Sequence, residues 1–300
     1  MTVLGSGDHK YERVEGWFKL PEYFYIEQEN ISCPPGVAGD SQDRVFLFTA
    51  GNHPVIIFDK NGDFVSCWGE GHFTNPHGIF IDADDSLYLT DRQAHVIEKY
   101  TVDGTLLMTL GERGWAKPII SGQPFNLPTY ATVAPSGDIF VADGYGNSRI
   151  HRFSPQGKLI KSWGEPGNGP GQLAVPHSLA IDKSGIIYVC DRHNHRIQLF
   201  TEDGEFITMW PGFCYPESIY INRKEDIIYI VEGFLGPDDQ PRLSILDLKG
   251  NILSEWSGRE SQGKGVMNTP HGLWVDSQGD IYVAEGEPGV RRIHKFAKIK

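Results

Sequence analysis

A repeat of four short runs constrains this chain more than any single motif. Its clearest copy reads Pro176-His177-Ser178-Leu179-Ala180-Ile181-Asp182, Gly185-Ile186-Ile187-Tyr188-Val189-Cys190-Asp191, Arg196-Ile197-Gln198-Leu199-Phe200 and Gly204-Glu205-Phe206-Ile207. Each run is rich in β-branched and aromatic residues and is bounded by turn formers, which is the signature of a strand. The second run recurs as Val45-Phe46-Leu47-Phe48, Leu87-Tyr88-Leu89-Thr90, Ile139-Phe140-Val141-Ala142, Ile227-Ile228-Tyr229-Ile230 and Ile281-Tyr282-Val283-Ala284, making six copies. The fourth run closes at Cys67-Trp68-Gly69, Thr109-Leu110-Gly111, Ser162-Trp163-Gly164, Met209-Trp210 and Glu255-Trp256, and so appears only five times. Copies start roughly 40 to 55 residues apart, the spacing of four-stranded propeller blades. The sequence therefore predicts an all-β, six-bladed β-propeller spanning residues 1–300 as a single domain. The missing outer strand is expected near residues 13–19, where Glu15-Gly16-Trp17-Phe18 repeats the same ending. Pairing the two chain ends closes the ring and removes open sheet edges.

Composition limits the function classes. A formal charge of −12 offers no basic face for a polyphosphate, so nucleic-acid binding is excluded. No apolar run approaches the roughly eighteen residues of a membrane span, and Met1–Lys10 lacks the apolar core of a leader. The expectation is a soluble, cytoplasmic chain that does not enter membranes. Cys33, Cys67, Cys190 and Cys214 form no C-x-x-C pair and read as buried free thiols.

The chemistry emerges when one position is compared across the six copies. The residue after the blade-opening proline is Gly36, His77, Thr129, His177, Glu217 and His271. Histidine occupies every second blade, and in a closed sixfold ring alternate blades lie about 120° apart around the axis. Three imidazoles would converge there, a donor set suited to a borderline divalent metal with a fourth position open for a reactant. Zinc is expected, although iron, cobalt and manganese also accept three imidazoles. His53, His95 and His195 lie in turns where such repeats often carry histidine, and they read as structural.

At these residues the chain resembles a known family. Asp143-Gly144-Tyr145-Gly146-Asn147-Ser148-Arg149-Ile150, Phe153-Ser154-Pro155-Gln156-Gly157-Lys158, Trp163-Gly164-Glu165, Pro170-Gly171-Gln172, Val175-Pro176-His177-Ser178-Leu179-Ala180 and Asp191-Arg192 are similar to the lyase domain of the peptidylglycine α-amidating enzymes. The rest matches mainly as NHL-type propeller repeats. The resemblance implies zinc at His77, His177 and His271, Tyr145 as catalytic base, and Arg192 as the group that orients or stabilises the substrate. It also implies cleavage of the C–N bond of a carbinolamide, giving an amide and an aldehyde acid. Phenols ionise near pH 10, so such a base needs positive charge close by. Taken without the family, Tyr145 is an aromatic at a glycine-rich turn and Arg192 an ion-pair partner for Asp191.

The chain departs from the family at three places. The arginine that binds the substrate carboxylate is replaced by Ala50, the aspartate that helps hold a structural calcium by Gly272, and the disulfide cysteines by Gly146, Tyr188 and Leu199. Calcium is therefore not expected, and a reducing compartment is. Arg92, equivalent to Arg192 on the second blade, reads either as a relocated anionic anchor or as an ion-paired turn residue. His193, Phe234 and Glu285 sit in the matching turns of the last three blades and are named as pocket lining. The leading reading is a metal-dependent lyase acting on a small hydroxylated compound. Hydratase or dehydratase chemistry, a lactone hydrolase and a non-catalytic NHL-repeat scaffold are the alternatives, and the oligomeric state is left open. A calcium lactonase would want oxygen ligands where this axis offers histidine.

Overall fold

The structure, a computed structural model, describes residues 2–22, 35–233, 240–258, 267–286 and 292–300. Six antiparallel sheets follow one another along the chain, as the repeat predicts. Blade 1 is Gly36–Gly39, Val45–Phe48, Val55–Phe58 and Phe64–Trp68. Blade 2 starts at Pro76–Ile81, blade 3 at Tyr130–Val133, blade 4 at Pro176–Ile181, blade 5 at Pro216–Asn222 and blade 6 at Pro270–Val275. Each opening strand touches that of the next blade, and Pro270–Val275 returns to Gly36–Gly39, so the ring is closed.

Burial explains the composition of the strands. The second strand of a blade lies against neighbouring sheets on both faces, so Val45–Phe48, Leu87–Asp91, Ile139–Asp143, Ile187–Asp191 and Ile281–Glu285 are buried throughout. The seams between blades are the core. Phe46 and Phe48 of blade 1 pack with Ile79, Leu87 and Leu89 of blade 2, and Phe140 and Ala142 of blade 3 with Leu179, Ile187 and Val189 of blade 4. Outer strands such as Phe206–Pro211 face solvent and are mostly exposed.

The sixth blade is completed by the N-terminus, but at a different place from the expected span. His9–Val14 pairs with Ile293–Lys298, and Leu4–Ser6 adds a fifth strand outside it. Trp17 lies past the strand, beyond a turn at Glu15 and Gly16. It nevertheless occupies the seat that the repeat assigns to it. Trp68, Trp163 and Trp210 each lie against a glycine in the last hairpin of the following blade, at Gly104, Gly204 and Gly250, where a Cβ would collide with the indole. Trp17 lies on the corresponding glycine, Gly62 of blade 1, but meets it with its backbone carbonyl first and its indole second. These four glycines also have φ between +76° and +87°, a conformation that favours glycine for a second reason.

Candidate active site

His77, His177 and His271 stand at the second position of the opening strands of blades 2, 4 and 6, and their ring centroids are 4.8–5.0 Å apart. The intervening blades orient them. His77 donates its Nδ1–H to the carbonyl of Thr129 on blade 3, His177 to that of Glu217 on blade 5, and His271 to that of Pro35 at the start of blade 1, each at 2.7 Å. A carbonyl oxygen can only accept, so each Nδ1 carries the proton and each Nε2 presents a lone pair to the axis. His77 and His177 are buried and His271 is half-buried. Burial, reinforced by the other imidazoles and the nearby arginines, pushes His77 and His177 well below the ordinary histidine value; burial lowers His271 as well, against the pull of Glu217.

Among the described residues the three lone pairs have one donor between them. Tyr145 places its hydroxyl 3.2 Å from Nε2 of both His77 and His177 and has a single proton to give. Three neutral imidazoles whose lone pairs outnumber the protons offered to them match the demand of a divalent cation, and their nitrogens lie within 4.8 Å of one another. The residues present therefore fit the metal.

Tyr145 is carried by the short helical turn Gly144–Asn147 that follows the buried strand Ile139–Asp143. Gly144 lies so close to the carbonyl of Pro176 that any side chain would displace the turn, and Gly146 lies equally close to Asn126. A cysteine at Gly146 would not fit this turn. Arg192 begins the equivalent turn of blade 4, with Nη1 3.4 Å from the Tyr145 hydroxyl and 3.0 Å from Oε2 of Glu217. Its partner is thus Glu217 and not Asp191, which pairs with Arg196 at 2.8 Å. Arg92 covers the Tyr145 ring with its guanidinium 5.0 Å from the centroid, and Arg192 lies 5.2 Å away.

The remaining expected residues divide. His193 stacks on Tyr215 and lies 2.7 Å from its hydroxyl, and Tyr215 also packs under Arg192, so both belong to the rim of the site. Glu285 does not. It is fully buried and accepts from the backbone N–H of Asn268, as Asp91 does from Asn75, Asp143 from Asn126, Asp191 from Ala174 and Glu232 from Cys214. This carboxylate ends the second strand of five blades and ties down the connection that leads into the blade, a structural duty. Phe234 lies outside the described residues. Ala50 is an exposed turn residue, and Gly272 has no room for the family's aspartate, since a Cβ there would lie 2.8 Å from the Pro35 carbonyl oxygen. Glu217, the carboxylate at the matching position of blade 5, is paired with Arg192 at 3.0 Å. Cys190 is a buried thiol as expected, whereas Cys67 and Cys214 are half-buried, and Cys33 lies outside the described residues.

Six blades and an axial trio of imidazoles define a propeller of the NHL-repeat class with a candidate metal centre. The model of the NHL repeat matches residues 125–153 and 173–200. The chain is 31% identical to human NHL repeat-containing protein 3, with 95% of the chain covering 83% of that protein. It is 32% identical to peptidyl-alpha-hydroxyglycine alpha-amidating lyase 1 of Drosophila melanogaster over 76% of the chain and 46% of that protein. Peptidylglycine alpha-amidating monooxygenase of Rattus norvegicus is 29% identical over 97% of the chain, which spans about a third (32%) of that longer protein. The chain belongs to the amidating-lyase-like family of NHL-repeat proteins. Its fold is shared with a gluconolactonase of Xanthomonas campestris at a TM-score of 0.65 and 16% identity, covering 90% of this chain and 87% of that one.

Proposed function

We propose that the chain is a metal-dependent lyase that cleaves the C–N bond of an N-acyl α-hydroxyglycine or a similar carbinolamide. The observation that carries this reading is a trio of inward-facing imidazole lone pairs for which the described residues supply one O–H, that of Tyr145 within reach of His77 and His177, with a guanidinium beside that hydroxyl. A divalent cation held by His77, His177 and His271 would act as a Lewis acid toward a hydroxyl brought to its open position. Tyr145, as phenolate, takes the hydroxyl proton; the C–N bond breaks as the C=O forms, and the amide nitrogen recovers the proton from Tyr145. Arg192 supplies fixed positive charge where negative charge develops, and Glu217 holds it there. Arg92 makes no ion pair among the described residues, which favours it as the anchor of an anionic substrate group in place of Ala50.

A calcium lactonase finds little support in these side chains, because the axial donors are imidazole nitrogens. The assay is release of glyoxylic acid from N-acyl α-hydroxyglycine and release of the corresponding aldehyde from an analogue lacking the carboxylate. Wild type should turn over both, and Arg92→Ala should raise KM for the acid about tenfold while leaving the neutral analogue unchanged. Turnover of neither compound by the metal-loaded chain removes the lyase reading and favours the scaffold.

A further inference from the structure

Blade 1 departs from the other blades at a point away from the axis. His53 lies in the turn after its second strand, Cys67 near the end of its outer strand and Glu70 just beyond that strand. The three donors meet at that corner. Nδ1 of His53 is 2.6 Å from Oε1 of Glu70 and 3.4 Å from Sγ of Cys67, and that sulfur is 3.8 Å from the same carboxylate oxygen. The glutamate is common to several blades, recurring as Glu112 and Glu165, but the other two positions vary. Cys67 corresponds to Thr109, Ser162, Met209 and Glu255, and His53 to His95, Ser148 and His195. Thiol and imidazole coincide in blade 1 alone. The backbone explains why the ring reaches this corner. His95 and His195 adopt positive φ, at 58° and 55°, and His95 accepts the backbone N–H of Leu127. Pro54 follows His53 and favours an extended conformation at the preceding residue. His53 is not among the positive-φ residues, and its ring turns to the outer strand.

We propose that His53, Cys67 and Glu70 form a second metal site, selective for a thiophilic divalent cation such as zinc, cobalt or cadmium and separate from the axial histidines. One thiolate, one imidazole and one carboxylate make a mixed three-ligand set, and solvent completes the tetrahedron because Glu70 is half-exposed. The two edges to sulfur already have the length that a tetrahedral ion requires. The 2.6 Å edge is a hydrogen bond that opens by under about 1 Å when a cation replaces its proton. Binding releases the thiol proton of Cys67 to solvent and moves the His53 proton from Nδ1 to Nε2, leaving one thiolate, one neutral imidazole and one carboxylate around the ion. Without a metal, burial and the adjacent Glu70 push the Cys67 thiol up to about 11, so the corner is occupied by a neutral thiol.

The probe is cobalt(II), titrated into the metal-stripped full chain, because a thiolate ligand gives a near-ultraviolet charge-transfer band that three imidazoles cannot. The band should saturate by two equivalents of added cobalt in wild type, where the axial histidines take up the other, and at one equivalent in His177→Ala, and it should vanish in Cys67→Ser. His53→Ala, which keeps the thiol, should weaken the affinity read from the band at least tenfold. No band in wild type, or an undiminished band in Cys67→Ser, overturns the site whatever the axial histidines do.

Discussion

Each axial imidazole is fixed by one hydrogen bond to a carbonyl of the next blade, and this bond decides its chemistry. It sets the tautomer, aims Nε2 at the axis and leaves Tyr145 as the one described hydroxyl within reach of two of the three lone pairs. Tyr145→Phe should therefore keep the metal and lower turnover by about 10²–10⁴-fold, the usual range for a lost acid–base group. Metal content and kcat measured on the same preparation check this, and unchanged turnover removes Tyr145 from the mechanism. The depressed imidazoles also make the metal-free chain acid-sensitive. Below the ordinary value of 6.5 the unfolded chain binds protons that folded His77 and His177 refuse, so stability falls as the pH drops through that value. Thermal melts of the stripped chain between about pH 7.5 and 5.5 should show a declining Tm, and a flat or rising Tm contradicts the assignment. The histidines were legible from their alternation in the repeat. Tyr145 and Arg192 came only with the family resemblance, and the Arg192–Glu217 pair was missed because Asp191 is the nearer residue in sequence. The available signal was that an acidic residue ends the same strand in blades 2 to 6, which marks Asp191, and Glu285 with it, as scaffold.

At the scale of elements, the turn that carries Tyr145 depends on two glycines pressed against neighbouring backbone, and the seams depend on a tryptophan seated on a glycine. The sequence placed Trp17 in its class correctly while putting the closing strand too late. The indole ending marks the seam and not the strand, and in blade 6 the two are separated by a turn, so the ladder runs through His9–Val14 instead. Trp17 joins blade 6 to blade 1 through Tyr282 at 5.1 Å, next to Phe18 at 4.7 Å. Trp17→Ala should lower stability by about 3–5 kcal/mol, the usual loss for a large aromatic removed from a core. Chemical denaturation measures this, and a loss under about 1 kcal/mol means that the seam is held by other contacts.

At the scale of the molecule, the ring turns residues far apart in sequence into neighbours. His77 and His271 are separated by most of the chain, yet closure of Pro270–Val275 onto Gly36–Gly39 brings their rings to 4.9 Å. The odd blades serve as orienting partners and the even blades as ligand donors, which gives the alternation in sequence its physical cause. The most direct measurement is zinc content and X-ray absorption of the Cys67→Ser chain, in which the corner of blade 1 has lost its thiolate. One zinc per chain with three nitrogen neighbours at about 2.0–2.1 Å, lost when His177→Ala is added, is the predicted result. Zinc retained after that second substitution, or none bound by Cys67→Ser itself, contradicts a coordination sphere built by the ring.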